Sequence, residues 1–197
     1  GGRGSEQFTV PTPTGEDTIF ISDRGNYSAN LEKCATGDRP YELGSEPTGE
    51  LEQIHTPNCP GIDDVCDFFK KNLGTTLKAK NLFKSLVYVA TRLSDAPDPV
   101  KAKDPWYVLA IVRGDHDVNE EKLRACLPRQ FDEPAKVVLA PDELAKQDGW
   151  VLGFVGPHAF RGRDDTYLLI DPDAAQGGFW VTGANAADHH VKHFNWQ

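Results

Sequence analysis

Lys84 is the residue whose setting most clearly asks for chemistry. It lies in Leu82-Phe83-Lys84-Ser85-Leu86-Val87-Tyr88-Val89-Ala90, a run whose two alternating faces are both mostly apolar. An ammonium there must either snorkel to an edge or project into a cleft, because burying an unpaired charge is costly. A second candidate is the loop Gly153-Phe154-Val155-Gly156-Pro157. Glycine allows close backbone approach, so the loop's N–H groups could face a carbonyl or phosphate oxygen. It matches neither a Walker loop nor a dinucleotide fingerprint, and a plain tight turn is the simpler reading. The third is the cluster His189, His190 and His193. On a helix His189 and His193 would share a face and could pair on a metal. The alternation of Val191, His193 and Asn195 with Lys192, Phe194 and Trp196 suits a strand instead, which sets them about 13 Å apart. No third ligand or intervening glutamate accompanies them, so a hydrogen-bonding histidine at a cleft rim is the better reading. His116 is either helix-start decoration or a site residue, and no G-x-S-x-G elbow is present.

The elements that must position these groups follow from periodicity. Trp106 to Val112 is a continuous apolar run rich in strand formers, too short for a membrane span and suited to a strand buried on both faces. Arg113-Gly114-Asp115 turns the chain, and Asn119 followed by Glu120 and Glu121 starts a helix. Arg92 to Asp104, with its prolines, connects this strand to the Lys84 strand, and the two are expected to pair antiparallel. Ile62, Val65, Cys66, Phe68, Phe69 and Leu73 recur at helical spacing over Ile62 to Leu73, with Gly74 as the C-terminal cap and with Phe69 and Leu73 expected in the core. Further strands are expected at Thr18 to Ile21, Leu51 to His55, within Phe131 to Leu139, at Thr166 to Ile170 and at Phe179 to Thr182. Helices are expected over Tyr27 to Ala35, with Tyr27, Leu31 and Cys34 on one face, and over Pro141 to Gln147. Thr36 to Glu50 is an exposed loop, and Gly183-Ala184-Asn185 a turn.

Composition narrows the class. The 197 residues are 39% hydrophobic and 26% charged, ordinary values for one globular domain with a substantial core. No apolar run approaches the ~20 residues of a spanning helix. Gly1-Gly2-Arg3-Gly4-Ser5 lacks an apolar signal core, so residues 1–7 are expected to be a flexible segment and the protein cytoplasmic. Cys34, Cys59, Cys66 and Cys126 include no C-x-x-C pair, which fits reduced thiols and no structural zinc. The net charge of −9 disfavours free-standing affinity for a polyanion, although a local basic cleft is compatible with it.

Several motifs then occur in one order: S-D-R-G-N-Y-S-A-N-L-E-K from Ser22 to Lys33, T-P-N from Thr56 to Asn58, R-G-D-H-D-V-N-E-E-K-L from Arg113 to Leu123, G-F-V-G-P from Gly153 to Pro157 and G-A-N-A-A-D-H-H from Gly183 to His190. In this order they closely resemble the editing insertion domain of bacterial-type prolyl-tRNA synthetases, and more widely the free-standing aminoacyl-tRNA deacylases. The resemblance covers Phe8 to Trp196. It implies an α+β fold, one domain from residue 8 to 197 with a mixed, mostly antiparallel sheet packed with helices.

The resemblance also implies a reaction: hydrolysis of the ester of alanine mischarged onto proline tRNA. The family's deacylation lysine falls on Lys84, and the histidine that helps place the tRNA end falls on His190. The loop holding the aminoacyl end is Gly153, Phe154, Val155, Gly156 and Pro157, with Gly183, Ala184 and Asn185 beside it. The amino-acid pocket is lined by Thr56, Ile62 and Val65. The implied partners are the aminoacylated 3′ end of tRNA(Pro) and the rest of a synthetase in cis, with no membrane and no metal. No cofactor is implied for editing, since ATP and Mg would belong to the parent synthetase domain. The end at Asn195-Trp196-Gln197, where the family continues into the synthetase body, resembles an excised insertion. The acidic balance fits a parent enzyme whose other domains hold the tRNA. A tRNA-end-binding or structural insertion, and a deacylase for another amino acid, are the alternatives.

Overall fold

The computed structural model describes residues 10, 12–15, 17–35, 49–91, 105–127, 136–178 and 180–196. The 1–7 segment, most of the Thr36 to Glu50 loop, the Arg92 to Asp104 connection and the start of the Phe131 to Leu139 stretch lie outside the described residues. The chain divides into two compact units, Gly1–Gly37 and Asp38–Gln197.

The first unit holds a small antiparallel hairpin, β1 (Ile19–Ile21) against β2 (Ser28–Asn30), with Phe20 opposite Ala29. Gly25, at φ +70°, supplies the left-handed residue of its turn. The helix expected over Tyr27 to Ala35 is therefore corrected to a strand followed by a turn. Asn30 closes a single turn straight after the strand: its side chain accepts from the Lys33 N–H and its carbonyl from the Cys34 N–H. Tyr27 and Leu31 are exposed instead of forming a buried face.

The second unit carries the larger elements. β4 (Phe83–Thr91) and β5 (Trp106–Arg113) pair antiparallel from Phe83 opposite Arg113 to Ala90 opposite Trp106. β6 (Lys136–Leu139) flanks β4 antiparallel, and β7 (Thr166–Ile170) flanks β5 in parallel, giving the order β6-β4-β5-β7. Both central strands are covered on two faces, which is why each reads as an unbroken apolar run. One face sets Phe83, Val87, Val89, Tyr107, Leu109 and Ile111 against Trp150 and Trp180. The other sets Tyr88, Ala90, Val108 and Ala110 against Leu123 of α2 (Glu120–Ala125) and Val137. Asn119 caps α2, accepting from the Lys122 N–H at 3.0 Å, as its position before two glutamates predicts. α3 (Asp142–Gln147) follows β6.

A three-stranded antiparallel sheet, β3 (Glu52–His55), β9 (His189–Phe194) and β8 (Trp180–Gly183), has β9 in the middle. It meets the larger sheet where Leu82 bridges Val181. α1 (Ile62–Leu73) covers that junction with Val65 and Phe69, each 1% exposed. Gly61 begins α1 by donating to Asp64 Oδ2, and Gly74 ends it at φ +63°. Leu73, expected in the core beside Phe69, is 43% exposed. It belongs to the last turn, beyond the residues that cover Val65 and Phe69. The fold is α+β and mostly antiparallel, as expected.

Candidate functional site

Lys84 stands at the start of β4, opposite Val112, so the chain leaving β5 passes beside its head group. The ammonium donates to the His116 carbonyl at 2.8 Å and to Asp117 Oδ1 at 3.0 Å. The side chain is half-buried, whereas that of Asp117 is 97% exposed. The choice between edge and cleft thus resolves into a tethered cation on the cleft wall. The tethering loop is held from several directions. The Gly114 N–H donates to the Leu82 carbonyl and the His116 N–H to the Arg113 carbonyl, both at 2.8 Å. Arg113 forks onto Asp115 at 2.6 and 3.0 Å. Burial pushes the Asp115 carboxyl up, but the hydrogen bond and charge of Arg113 outweigh it and hold the group below the usual range.

The His116 ring lies among three carboxylates: Nε2 is 3.9 Å from Asp115 and 3.7 Å from Asp173, and Nδ1 is 3.8 Å from Asp171. Among the described residues, His116, Asp171 and Asp173 are the group with spacing suited to a metal ion, their ligand atoms lying within 4.8 Å of one another. The Arg113 guanidinium, 3.9 Å from Asp173 Oδ2, already supplies a fixed cation there. His189 and His193 bond their Nδ1 atoms to the Ala187 and Glu50 carbonyls, at 2.7 and 2.8 Å. They sit on a strand, as the alternation predicted.

His190 is buried in the middle strand of the small sheet, opposite Ile54. Its Nδ1 lies 2.6 Å from Thr56 Oγ1. This is the hydrogen bond of the Thr56 hydroxyl among the described residues, and Thr56 is fully buried. An undonated O–H there would be orphaned, so Thr56 donates to Nδ1 and the imidazole carries its proton on Nε2. Burial first, and then neighbouring His189, lowers the His190 pKa to about 4, so the ring is a neutral donor near pH 7. The unfolded chain takes up this proton nearer its ordinary 6.5. Stability is therefore fully present above about pH 6.5 and falls as pH drops towards 4. Between pH 7 and 4.5 the wild type should lose about 2 kcal/mol more than His190→Gln, read from urea unfolding at both pH values. Equal losses would place the titration elsewhere.

The glycine loop is built on close backbone approach. A Cβ on Gly156 would come 2.1 Å from the Gly183 carbonyl oxygen, and one on Gly183 would come 2.2 Å from the Phe154 oxygen. Gly153 has φ +83°, with Pro60 against it. Asn185, itself left-handed at φ +56°, clamps the loop from the strand exit. Its Oδ1 accepts from the Gly156 N–H at 2.7 Å and its N–H donates to the Phe154 carbonyl at 2.8 Å. The Phe154 N–H donates to Val151. Among the described residues, Gly153 and Val155 are the loop positions whose N–H groups are not used in this way.

These pieces surround a cleft of about 300 Å³. Lys84, His190, Ile62, Val65, Gly153, Val155 and Gly183 line it, so seven of the residues singled out in the sequence meet there. Thr56 and Phe154 act on the lining from behind, Thr56 through its hydrogen bond to His190 and Phe154 through an edge-on ring contact with His190 at 5.4 Å, while Asn185 holds the glycine loop through Gly156. Pro157 opens a short 3₁₀ turn, and Gly156 and Ala184 flank the same clamp. Sequence reasoning missed Pro60, Gly61, Leu82, Phe83, Ser85 and Leu86 in the wall. Four of these, Leu82, Phe83, Ser85 and Leu86, flank Lys84 in sequence, which was the available signal. Ser85 Oγ is buried there without a hydrogen-bond partner among the described residues.

The family described as the aminoacyl-tRNA editing domain matches residues 56–197. The proline–tRNA ligase of Campylobacter hominis is 33% identical over 195 residues, covering 98% of this chain and 30% of that protein. The proline–tRNA ligase of Bacillus subtilis is 31% identical over 195 residues, covering 99% and 30%. The chain thus spans about 30% of the length of these curated relatives. The crystal structure of hypothetical protein APE2540 superposes with a TM-score of 0.50 over 74% of this chain and 79% of that one. At 15% identity this is a likeness of fold.

Proposed function

Since the chain belongs to the aminoacyl-tRNA editing domain family, we propose that it hydrolyses the ester of alanine mischarged onto tRNA(Pro), acting in cis within a prolyl-tRNA synthetase. The observation that carries the reading is the tethered Lys84 ammonium on the wall of a cleft that Gly153 and Val155, the loop positions with uncommitted N–H groups, also line. Water attacks the ester carbonyl, the tetrahedral oxyanion is met by the Gly153 and Val155 N–H groups, and the carbon–oxygen bond to the ribose breaks. The ribose oxygen takes the proton, releasing alanine and free tRNA. Lys84 anchors the terminal phosphate or offsets developing charge, and neutral His190 donates through Nε2 to place the tRNA end. Its low pKa leaves it a poor base, so the water is positioned, with help from a terminal ribose hydroxyl.

Alanine is preferred over proline by size. Excluding a larger ring sterically is easier than sensing one methylene, which is worth only ~1–3 kcal/mol. Editing proceeds without metal or nucleotide cofactor, ATP and Mg serving the parent synthetase, whose other domains hold the tRNA in the cytoplasm. Among the described residues no helix is long and apolar enough to cross a membrane.

The test is single-turnover hydrolysis of alanyl- and prolyl-tRNA(Pro) at high enzyme concentration. Loss of the alanyl ester alone is expected. Hydrolysis of neither, repeated in the full synthetase, would replace this reading with a binding or structural insertion. Faster cleavage of another mischarged ester would reassign the amino acid.

A further inference from the structure

The R-G-D-H-D-V-N segment has no role in the chemistry above, yet it supplies both partners of Lys84. The two are unequal. Asp117 is almost fully exposed, and an ion pair in that setting holds a flexible lysine weakly. The His116 carbonyl is a fixed point, because the loop presenting it is held by the Gly114 and His116 N–H bonds and by the Arg113 fork onto Asp115. Gly114 is bonded to Leu82 and has no room for a side chain, since a Cβ would sit 2.5 Å from the Ala79 oxygen. The Asp171 N–H donates to the Ile111 carbonyl at 2.9 Å, bringing the start of the Asp171-Pro172-Asp173 turn beneath the loop. The His116 ring reaches Asp171 and Asp173 on that turn and Asp115 on its own loop, while Arg113 ties Asp115 to the strand end.

We infer that His116 is a positioning residue for Lys84: its imidazole, seated among Asp115, Asp171 and Asp173, fixes the loop whose His116 carbonyl sets the ammonium on the cleft wall. Two of the three ammonium protons are taken by the loop, and the third serves the substrate. Asp117 is a displaceable counter-ion that a substrate oxygen can replace without moving the nitrogen. The seat is what makes a lysine on a flexible four-carbon stem behave as a fixed charge, which matters because misplacing a reacting group by ~1 Å can cost on the order of 100-fold in rate.

The inference rests on the editing role proposed for Lys84, and a double-mutant cycle separates the two. Single-turnover hydrolysis of alanyl-tRNA(Pro) is measured for wild type, His116→Ala, Lys84→Ala and the pair, with His116→Gln as a second variant and thermal unfolding as the check on folding. The expected result is a roughly 10- to 100-fold drop for His116→Ala at saturating enzyme, with the half-saturating concentration little changed. His116→Gln should recover part of the rate by keeping a polar contact with the carboxylates. In the Lys84→Ala background, removing His116 should have no further effect. Equal fold-losses in both backgrounds, or a wild-type rate for His116→Ala, would overturn the inference while leaving Lys84's role standing. A wild-type rate for Lys84→Ala would remove both.

Discussion

Replacing Lys84 by alanine lowers single-turnover hydrolysis of alanyl-tRNA(Pro) by about two orders of magnitude or more and leaves the unfolding midpoint nearly unchanged. The two halves of this prediction have separate causes. The rate falls because the cleft loses the cation that its loop holds in place, and among the described residues no other lysine or arginine lines the wall to substitute. The fold survives because Lys84 is half-buried and its ionic partner is exposed, so little stability resides in the pair. Deleting a charge from this strand even removes a desolvation cost. Lys84→Arg should stay well below wild type, since a planar fork cannot set its charge where a point-like ammonium takes the His116 carbonyl and Asp117 together. Wild-type rates for Lys84→Ala at sub-saturating substrate would remove it from the reaction.

Gly183→Ala is expected to damage stability and activity together. The added methyl would meet the Phe154 oxygen at 2.2 Å and the Val155 oxygen at 2.6 Å, and both are backbone atoms that no rotamer change can clear. The end of β8 would have to part from the glycine loop, breaking the Asn185 clamp and displacing the residue paired with His190. A cost of about 3 kcal/mol or more is expected, as for severe overpacking, seen as a lower urea midpoint at unchanged slope. Gly162→Ala is the control. It has φ +75° but nothing within 4 Å of its Cβ, so only the backbone preference is lost, about 1–2 kcal/mol, with hydrolysis intact. Similar losses in the two variants would mean that the loop yields more easily than its contacts imply.

The readable parts of the chain were those in which neighbours in sequence decide the outcome. α1 runs from Ile62 to Leu73 and stops at a left-handed Gly74 because spacing and cap lie within one short stretch. β4 and β5 announced themselves as doubly buried strands for the same reason, and a lysine inside such a strand was conspicuous at once. The Tyr27 to Ala35 segment misled because Tyr27, Leu31 and Cys34 mimic a helical face, while the deciding contacts are strand pairing to Ile19–Ile21 and the Asn30 turn. The seat of Lys84 could not be read at all. Its main acceptor is a backbone carbonyl, which every residue type offers, and its rigidity depends on Asp171 and Asp173, brought up by the parallel neighbour of β5. Thr56 illustrates the same limit, since no local pattern shows that its hydroxyl reaches His190 and sets where the imidazole keeps its proton.

The small sheet also has a consequence for how this protein is made. Its middle strand, β9, is the last of the described strands, and it pairs with β3, the first described strand of its unit. The hydrogen bond between Thr56 and His190 joins residues 134 apart in sequence, whereas the end of β4 at Thr91 and the start of β5 at Trp106 are only fifteen apart. Closing the longer loop costs about 2 kcal/mol more in chain entropy. Folding should thus begin in the four-stranded sheet and end with β9 sliding between β3 and β8, a slow, non-local step. On a ribosome, β3 emerges early and waits with both edges unpaired until nearly the whole unit has been synthesised. The histidine side of the cleft is made well after the lysine strand, so a nascent chain carries Lys84 long before it has a site.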